Sequence, residues 1–110
     1  MKLLLSFKRT ALSLGLASGS LLAAAPALAD EELFKRSNCM ACHAIDQKRL
    51  GPSMKEVGIK YHGSSGAAEM LAKKIREGGV GAWGQMPMPP QAQVSEANAK
   101  ILAEYILTLK

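Results

Sequence analysis

The chain has 110 residues, 48% of them hydrophobic, with 14 Lys and Arg against 9 Asp and Glu, two Cys, and neither a repeat nor a low-complexity tract. Those figures allow one domain and exclude a multidomain enzyme, a solenoid, a collagen-like rod and a polytopic membrane protein. Residues 1–29 read as an export signal. Lys2, Lys8 and Arg9 come first, an apolar stretch runs from Ala11 to Ala25, and Ala27-Leu28-Ala29 gives a small-x-small pattern before Asp30. The apolar run is broken by Ser13, Gly15, Ser18, Gly19 and Ser20 and falls short of the roughly 20 residues a membrane span needs. Cleavage after Ala29 is expected, leaving a mature domain over residues 30–110 in the periplasm. That segment holds 81 residues; the leader takes three basic side chains with it and no acidic one, so the formal charge falls from +5 to +2. No basic run or aromatic-interleaved patch remains to suggest nucleic-acid binding. A domain of this size buries only about 60–65% of its unfolded surface and calls for a staple or a cofactor.

Three segments of the mature chain have helical character. Glu31 to Arg36 places acids first and bases last, complementing a helix dipole, and leads directly into Cys39. Gly66 to Glu77 puts Leu71 and Ile75 on one face, allows a Glu69–Lys73 pair, and stops at Gly78-Gly79. Ser95 is a good N-cap for a last helix with Ile101, Leu102, Tyr105, Ile106 and Leu109 along one stripe. Between them, Leu50 to Gly63 and Gly79 to Gln93 are Gly/Pro-rich and lack the alternation of a strand, so both read as loops. The second contains Met86-Pro87-Met88-Pro89-Pro90, a stiff and extended run. A long loop of this kind in a small domain is usually functional.

The run that carries chemistry is Cys39-Met40-Ala41-Cys42-His43, which fits C-x-x-C-H, the pattern of covalent haem attachment. The spacing lets each thiol add to one vinyl group, and His43 then lies next in line to offer an imidazole nitrogen to the iron. A Cys39–Cys42 disulfide would close too short a loop to add much stability, and it leaves His43 unexplained. A zinc site needs four ligands, and adjacent Cys42 and His43 do not readily reach one tetrahedral ion with His62 as the remaining nitrogen. A thiol oxidoreductase would need a βαβ framework that this helical pattern lacks.

A haem held by His43 has a sixth position, for which Met40, Met54, Met70, Met86, Met88 and His62 are the candidates. Met40 lies inside the attachment loop, Met70 reads as helix core, and His62 as a solvated turn residue. Met88, bracketed by Pro87 and Pro89, is held extended and suits a ligand whose neutral sulfur raises the reduction potential. Met86 remains its rival.

Taken in order, Cys39 to Asp46, Gly51-Pro52, Val80-Gly81-Ala82-Trp83-Gly84, Pro87-Met88-Pro89-Pro90 and the C-terminal helix resemble a class I cytochrome c of the small bacterial group typified by cytochrome c-551 and cytochrome c8. The resemblance spans the whole mature segment. It implies an all-α fold of about three to five helices around one covalently attached haem c, with the first and last helices crossing beside it. It also implies Met88 as axial ligand, the Pro52 carbonyl as acceptor of the His43 N–H, and the Trp83 indole as donor to a haem propionate. Arg49 is a further candidate partner of a propionate, and Gln91 a candidate donor to the Met sulfur. Met54 stands where an aromatic is common in this group, and Met86 where a branched aliphatic is.

The implied function is a monomeric periplasmic one-electron carrier and not an enzyme. It would accept from a donor such as a quinol-oxidising complex and deliver to a terminal oxidase or reductase, for example a nitrite reductase. Lys48, Arg49, Lys55, Lys60, Lys73 and Lys74 would steer an acidic partner. The alternative is a haem-based ligand binder or peroxidase-like protein with a labile axial Met.

Overall fold

A computed structural model describes residues 19–20 and 27–110. The expected export signal, residues 1–29, falls outside the described residues except at Gly19, Ser20 and positions 27–29. Helix α1 covers Ala27–Arg36, and a short 3-10 turn covers Cys39–Ala41. Helices α2, α3 and α4 follow at Met54–Tyr61, Ala67–Glu77 and Glu96–Thr108, with strands β1 (Gly79–Gly81) and β2 (Gly84–Met88) between the last two.

Helices α2 and α4 start where a serine satisfies free N–H groups of the first turn. The Ser95 hydroxyl accepts from Asn98 N at 3.1 Å and opens α4. Ser53 opens α2 with a full capping box: its hydroxyl accepts from Glu56 N at 3.1 Å while its own N–H donates to Glu56 Oε2 at 2.8 Å. On α1 the Lys35 ammonium bridges Glu31 at 3.0 Å and Glu32 at 3.2 Å across an exposed face, where solvent screening leaves such pairs little weight.

Helix α4 is the centre of the fold, since α1, α2 and α3 each pack against it. Its Ala99, Leu102 and Ala103 are fully buried, and Phe34 of α1, Met54 and Val57 of α2, and Leu71 and Ile75 of α3 complete the core with Tyr105 and Ile106. Small residues at 99 and 103 let neighbouring helices approach while Leu102 fills the space between. The all-α expectation therefore holds, with four α-helices among the described residues beside one small hairpin.

Four local readings are corrected. The segment from Leu50 to Gly63 is not all loop, because α2 occupies Met54–Tyr61; it is only two turns long and contains Gly58, so its propensity is weak although its cap is strong. The segment from Gly79 to Gln93 contains an antiparallel hairpin pairing Gly79 with Met88 and Gly81 with Gly84, with Ala82 and Trp83 at its tip. Both strands are largely exposed, so no buried face imposes alternation. Pro87 is tolerated because a two-stranded ribbon leaves backbone donors on its outer edges unpaired. Ile101 leaves the predicted stripe and lies 39% exposed, Ala99 and Ala103 taking the buried positions. The ion pair on α3 joins Lys73 to Glu77 at 3.9 Å, not to Glu69.

Leu102→Ala is expected to cost about 2–5 kcal/mol, read by chemical denaturation of the haem-loaded protein. The Glu56 carboxyl is held below its ordinary value of 4.5, first by the Ser53 backbone N–H, then by the Ser53 hydroxyl, with Lys48 adding a smaller effect against a little desolvation. A depressed carboxyl contributes stability above its unfolded-state value and loses it as pH falls through the folded one. The stability gap between wild type and Glu56→Gln should therefore close in acid, below about pH 4.5, in pH-dependent denaturation.

Candidate haem site

The attachment segment is short, and backbone bonds hold it in shape. Cys42 N and His43 N both donate to Cys39 O, at 3.2 and 3.0 Å, and Gly51 N donates to Cys42 O at 2.9 Å. Asn38 enters this turn with φ 62°, a left-handed conformation that Asn adopts more readily than most residues. Met54 N and Lys55 N then donate to Ala44 O and Ile45 O, each at 3.0 Å, binding the first turn of α2 to the chain just beyond His43.

Within this frame His43 Nδ1 lies 2.7 Å from the Pro52 carbonyl. A carbonyl can only accept, so Nδ1 carries the hydrogen and Nε2 is left with its lone pair free for a metal. Gly51 lies directly against the ring: a Cβ there would collide with His43 Cε1 and come within 2.8 Å of Nδ1. Glycine at 51 is thus required by the imidazole, a constraint that the Gly-Pro dipeptide alone did not disclose.

Cys39, Cys42 and His43 line a cavity of about 530 Å³, within the range of cofactor sites. Its apolar walls come from all four helices and include Phe34, Val57, Leu71, Ile75, Leu102 and Ile106. Burial pushes the Cys39 thiol above its ordinary value of 9.0, partly offset by a backbone hydrogen bond, so near neutrality it is a protonated thiol. Among the described residues no three His, Cys, Asp or Glu side chains gather into a group that could hold a metal ion.

The candidate sulfur ligands separate by position. Met88 is half-buried, packs against the core and lines the cavity. Met86 also reaches the cavity but is 62% exposed. Met54 is buried in the core at the cavity wall, and Met70 lines it from the partly exposed side of α3. Met40 and His62 are exposed and are not among the lining residues. Met88 is held from behind by Gly78, whose φ of 72° is left-handed and where a Cβ would collide with Met88 O and lie 2.9 Å from Pro90 N. Gln91 N donates to Ile75 O at 3.0 Å, fastening the end of this run to α3. The Gln91 side chain donates to Pro89 O at 3.1 Å instead of reaching toward a sulfur.

Trp83 lines the cavity at the hairpin tip and is 40% exposed. Lys60 of α2 lies over its ring, 4.5 Å from the centroid, and donates to Ala82 O at 3.1 Å. This lysine is a tether between α2 and the hairpin, a role its distance from Trp83 in sequence concealed. Arg49 is exposed and is not among the residues lining the cavity, whereas Lys48 and the half-buried Lys74 are. Replacing Gly51 by Ala should displace the imidazole, speed exchange of the His43 Nδ1–H in NMR spectra, and cost about 1–3 kcal/mol by overpacking.

The cytochrome c family model matches residues 30–110. Cytochrome c-552 of Nitrosomonas europaea is 50% identical over 94 residues, covering 86% of this chain and 91% of its own. Cytochrome c-551 of Azotobacter vinelandii is 60% identical over 80 residues, covering 73% of this chain and 96% of its own. The crystal structure of wild-type Nitrosomonas europaea cytochrome c552 superposes with a TM-score of 0.71 at 50% identity, covering 73% of this chain and 99% of that one. With a single C-x-x-C-H segment lining an apolar cavity, the chain belongs to the cytochrome c family, as a small class I member that carries covalently bound haem c and transfers electrons.

Proposed function

We propose that this protein is an exported, monomeric carrier whose single haem is attached through Cys39 and Cys42 and ligated by His43 Nε2 and Met88 Sδ. It takes one electron from a donor such as a quinol-oxidising complex and passes it to a terminal oxidase or reductase, for example a nitrite reductase, in the periplasm. The observation that carries the ligand assignment is the His43–Pro52 hydrogen bond, which leaves Nε2 as the free nitrogen inside a cavity that Met88 also lines. The haem supplies a one-electron iron couple.

The chain's own residues set how that couple behaves. Pro52 fixes the imidazole tautomer and raises its basicity. Of the two methionines in the proline run, Met88, half-buried and braced by Gly78, is the better held, whereas exposed Met86 would have to give up solvent and rotational freedom to bind. With nitrogen and sulfur both committed, no position is open for a substrate. Trp83 and Lys74, which line the cavity, are proposed to meet the propionates; Arg49, outside the lining, is the weaker candidate. Lys48 and Lys55 remain free to steer an acidic partner, while Lys60 is engaged by the hairpin and Lys73 pairs with Glu77. Export is supported by the leader pattern of residues 1–29 and by a family match that begins at residue 30. Among the described residues no helix is long and apolar enough to cross a membrane.

Protein exported from a haem-attaching host should show a haem adduct on the peptide containing Cys39 and Cys42 by mass spectrometry. Its spectrum should be low-spin with the weak near-infrared sulfur-to-iron band, lost in Met88→Ala and retained in Met86→Ala. A mixed-spin spectrum with carbon monoxide binding at neutral pH would instead select the ligand-binding alternative.

A further inference from the structure

The capping box of α2 and the histidine contact meet in one peptide unit. The Pro52 carbonyl that accepts the His43 Nδ1–H at 2.7 Å and the Ser53 N–H that donates to Glu56 Oε2 at 2.8 Å are the two ends of the same amide group. An amide whose N–H is drawn toward a carboxylate gains negative charge on its oxygen, because resonance moves electron density from nitrogen to oxygen. Its carbonyl then accepts more strongly, which is the usual origin of cooperativity in hydrogen-bond chains. A stronger acceptor at Nδ1 makes the imidazole more imidazolate-like and a better donor through Nε2.

We propose that Glu56 is a tuning residue for the haem, acting through the Pro52–Ser53 peptide to increase the electron density that His43 presents to iron. The inference rests on His43 being the axial nitrogen ligand. Its direction is fixed by chemistry: a richer ligand favours ferric over ferrous iron, so the Glu56 carboxylate lowers the reduction potential. The arrangement is well placed to transmit. Ser53 is 3% exposed, so its N–H has little access to competing water, and the peptide is held on both flanks by Gly51 N to Cys42 O and by Met54 N to Ala44 O. A charged acceptor makes a hydrogen bond about twice as strong as a neutral one. Helix capping alone would account for the Ser53–Glu56 contact, but not for any dependence of the iron on it.

Three variants of the haem-loaded protein separate the relay from capping and from the long-range field of a carboxylate. Glu56→Gln removes the charge and keeps an acceptor. Ser53→Pro removes the donor N–H and keeps the charge; Ser53 has φ −65°, which proline fits. Ser53→Ala removes only the hydroxyl half of the box. Glu56→Gln and Ser53→Pro should each raise the midpoint potential, shifting the reduced-to-oxidised ratio by roughly threefold, or about 28 mV at 59 mV per decade. Ser53→Ala should stay near wild type in potential while losing helix stability, and the double variant Glu56→Gln/Ser53→Pro should move no further than either single one. In Glu56→Gln the His43 Nδ1–H resonance should also shift and exchange faster, a reading that needs only this conservative variant to fold.

A potential that rises in Glu56→Gln but not in folded Ser53→Pro, or a His43 Nδ1–H unmoved in Glu56→Gln, would overturn the relay. So would a Ser53→Ala shift as large as that of Glu56→Gln. Wild-type protein without a haem adduct would overturn the ligand assignment as well, whereas an attached haem with an unresponsive potential would overturn the relay alone.

Discussion

The hydrogen bond from His43 to the Pro52 carbonyl is the constraint on which the site depends. His43, immediately after Cys42, has little freedom to choose where it points, and its ring has two nitrogens that could serve as a ligand. Closing the chain back so that Pro52 meets Nδ1 settles both matters, orienting the ring and selecting the nitrogen left over. The rest of the segment follows from that closure. Gly51 has no side chain because the ring occupies the space, and α2 begins at the next turn because Ser53 and Glu56 can cap it there.

The helices answer a problem of volume. A cleft of about 530 Å³, partly open to solvent, reaches in among the core side chains of a small domain, where close packing is otherwise the rule. A haem held there, as proposed, would be part of the core as well as the redox centre. Phe34, Leu71, Ile75, Leu102 and Ile106 pack against one another and line the same space. On that reading, attachment and folding would be coupled in the way that metal binding and folding are in small metal-stabilised domains.

The parts of this arrangement that could be read from sequence are those whose signals are local. C-x-x-C-H, the Ser95 cap and the Leu71/Ile75 face all lie within one or two turns of chain. Helix α2 had a local signal too, since Ser53-x-x-Glu56 is a capping box, but the glycines and proline around it drew the reading toward a loop. The hairpin had none: its short, glycine-rich strands pair through backbone and are largely exposed, so no alternating pattern marks them. The Lys60 tether, the Gly78 brace behind Met88 and the engagement of Gln91 with Pro89 depend on contacts between distant or sharply turning segments. No spacing rule encodes them. Arg49 and Lys74 make the same point, because both are cations near the expected cofactor and only the fold separates the one lining the cavity from the one outside it.

The central place of α4 in the packing has a bearing on how the cavity is walled. Helices α1, α2 and α3 each lean on it, and its Leu102 and Ile106 line the same space as Cys39 and Cys42. A chain in which α4 is undocked would lose a shared partner and one side of its pocket together, so access to the two thiols is governed by a helix distant from them in sequence.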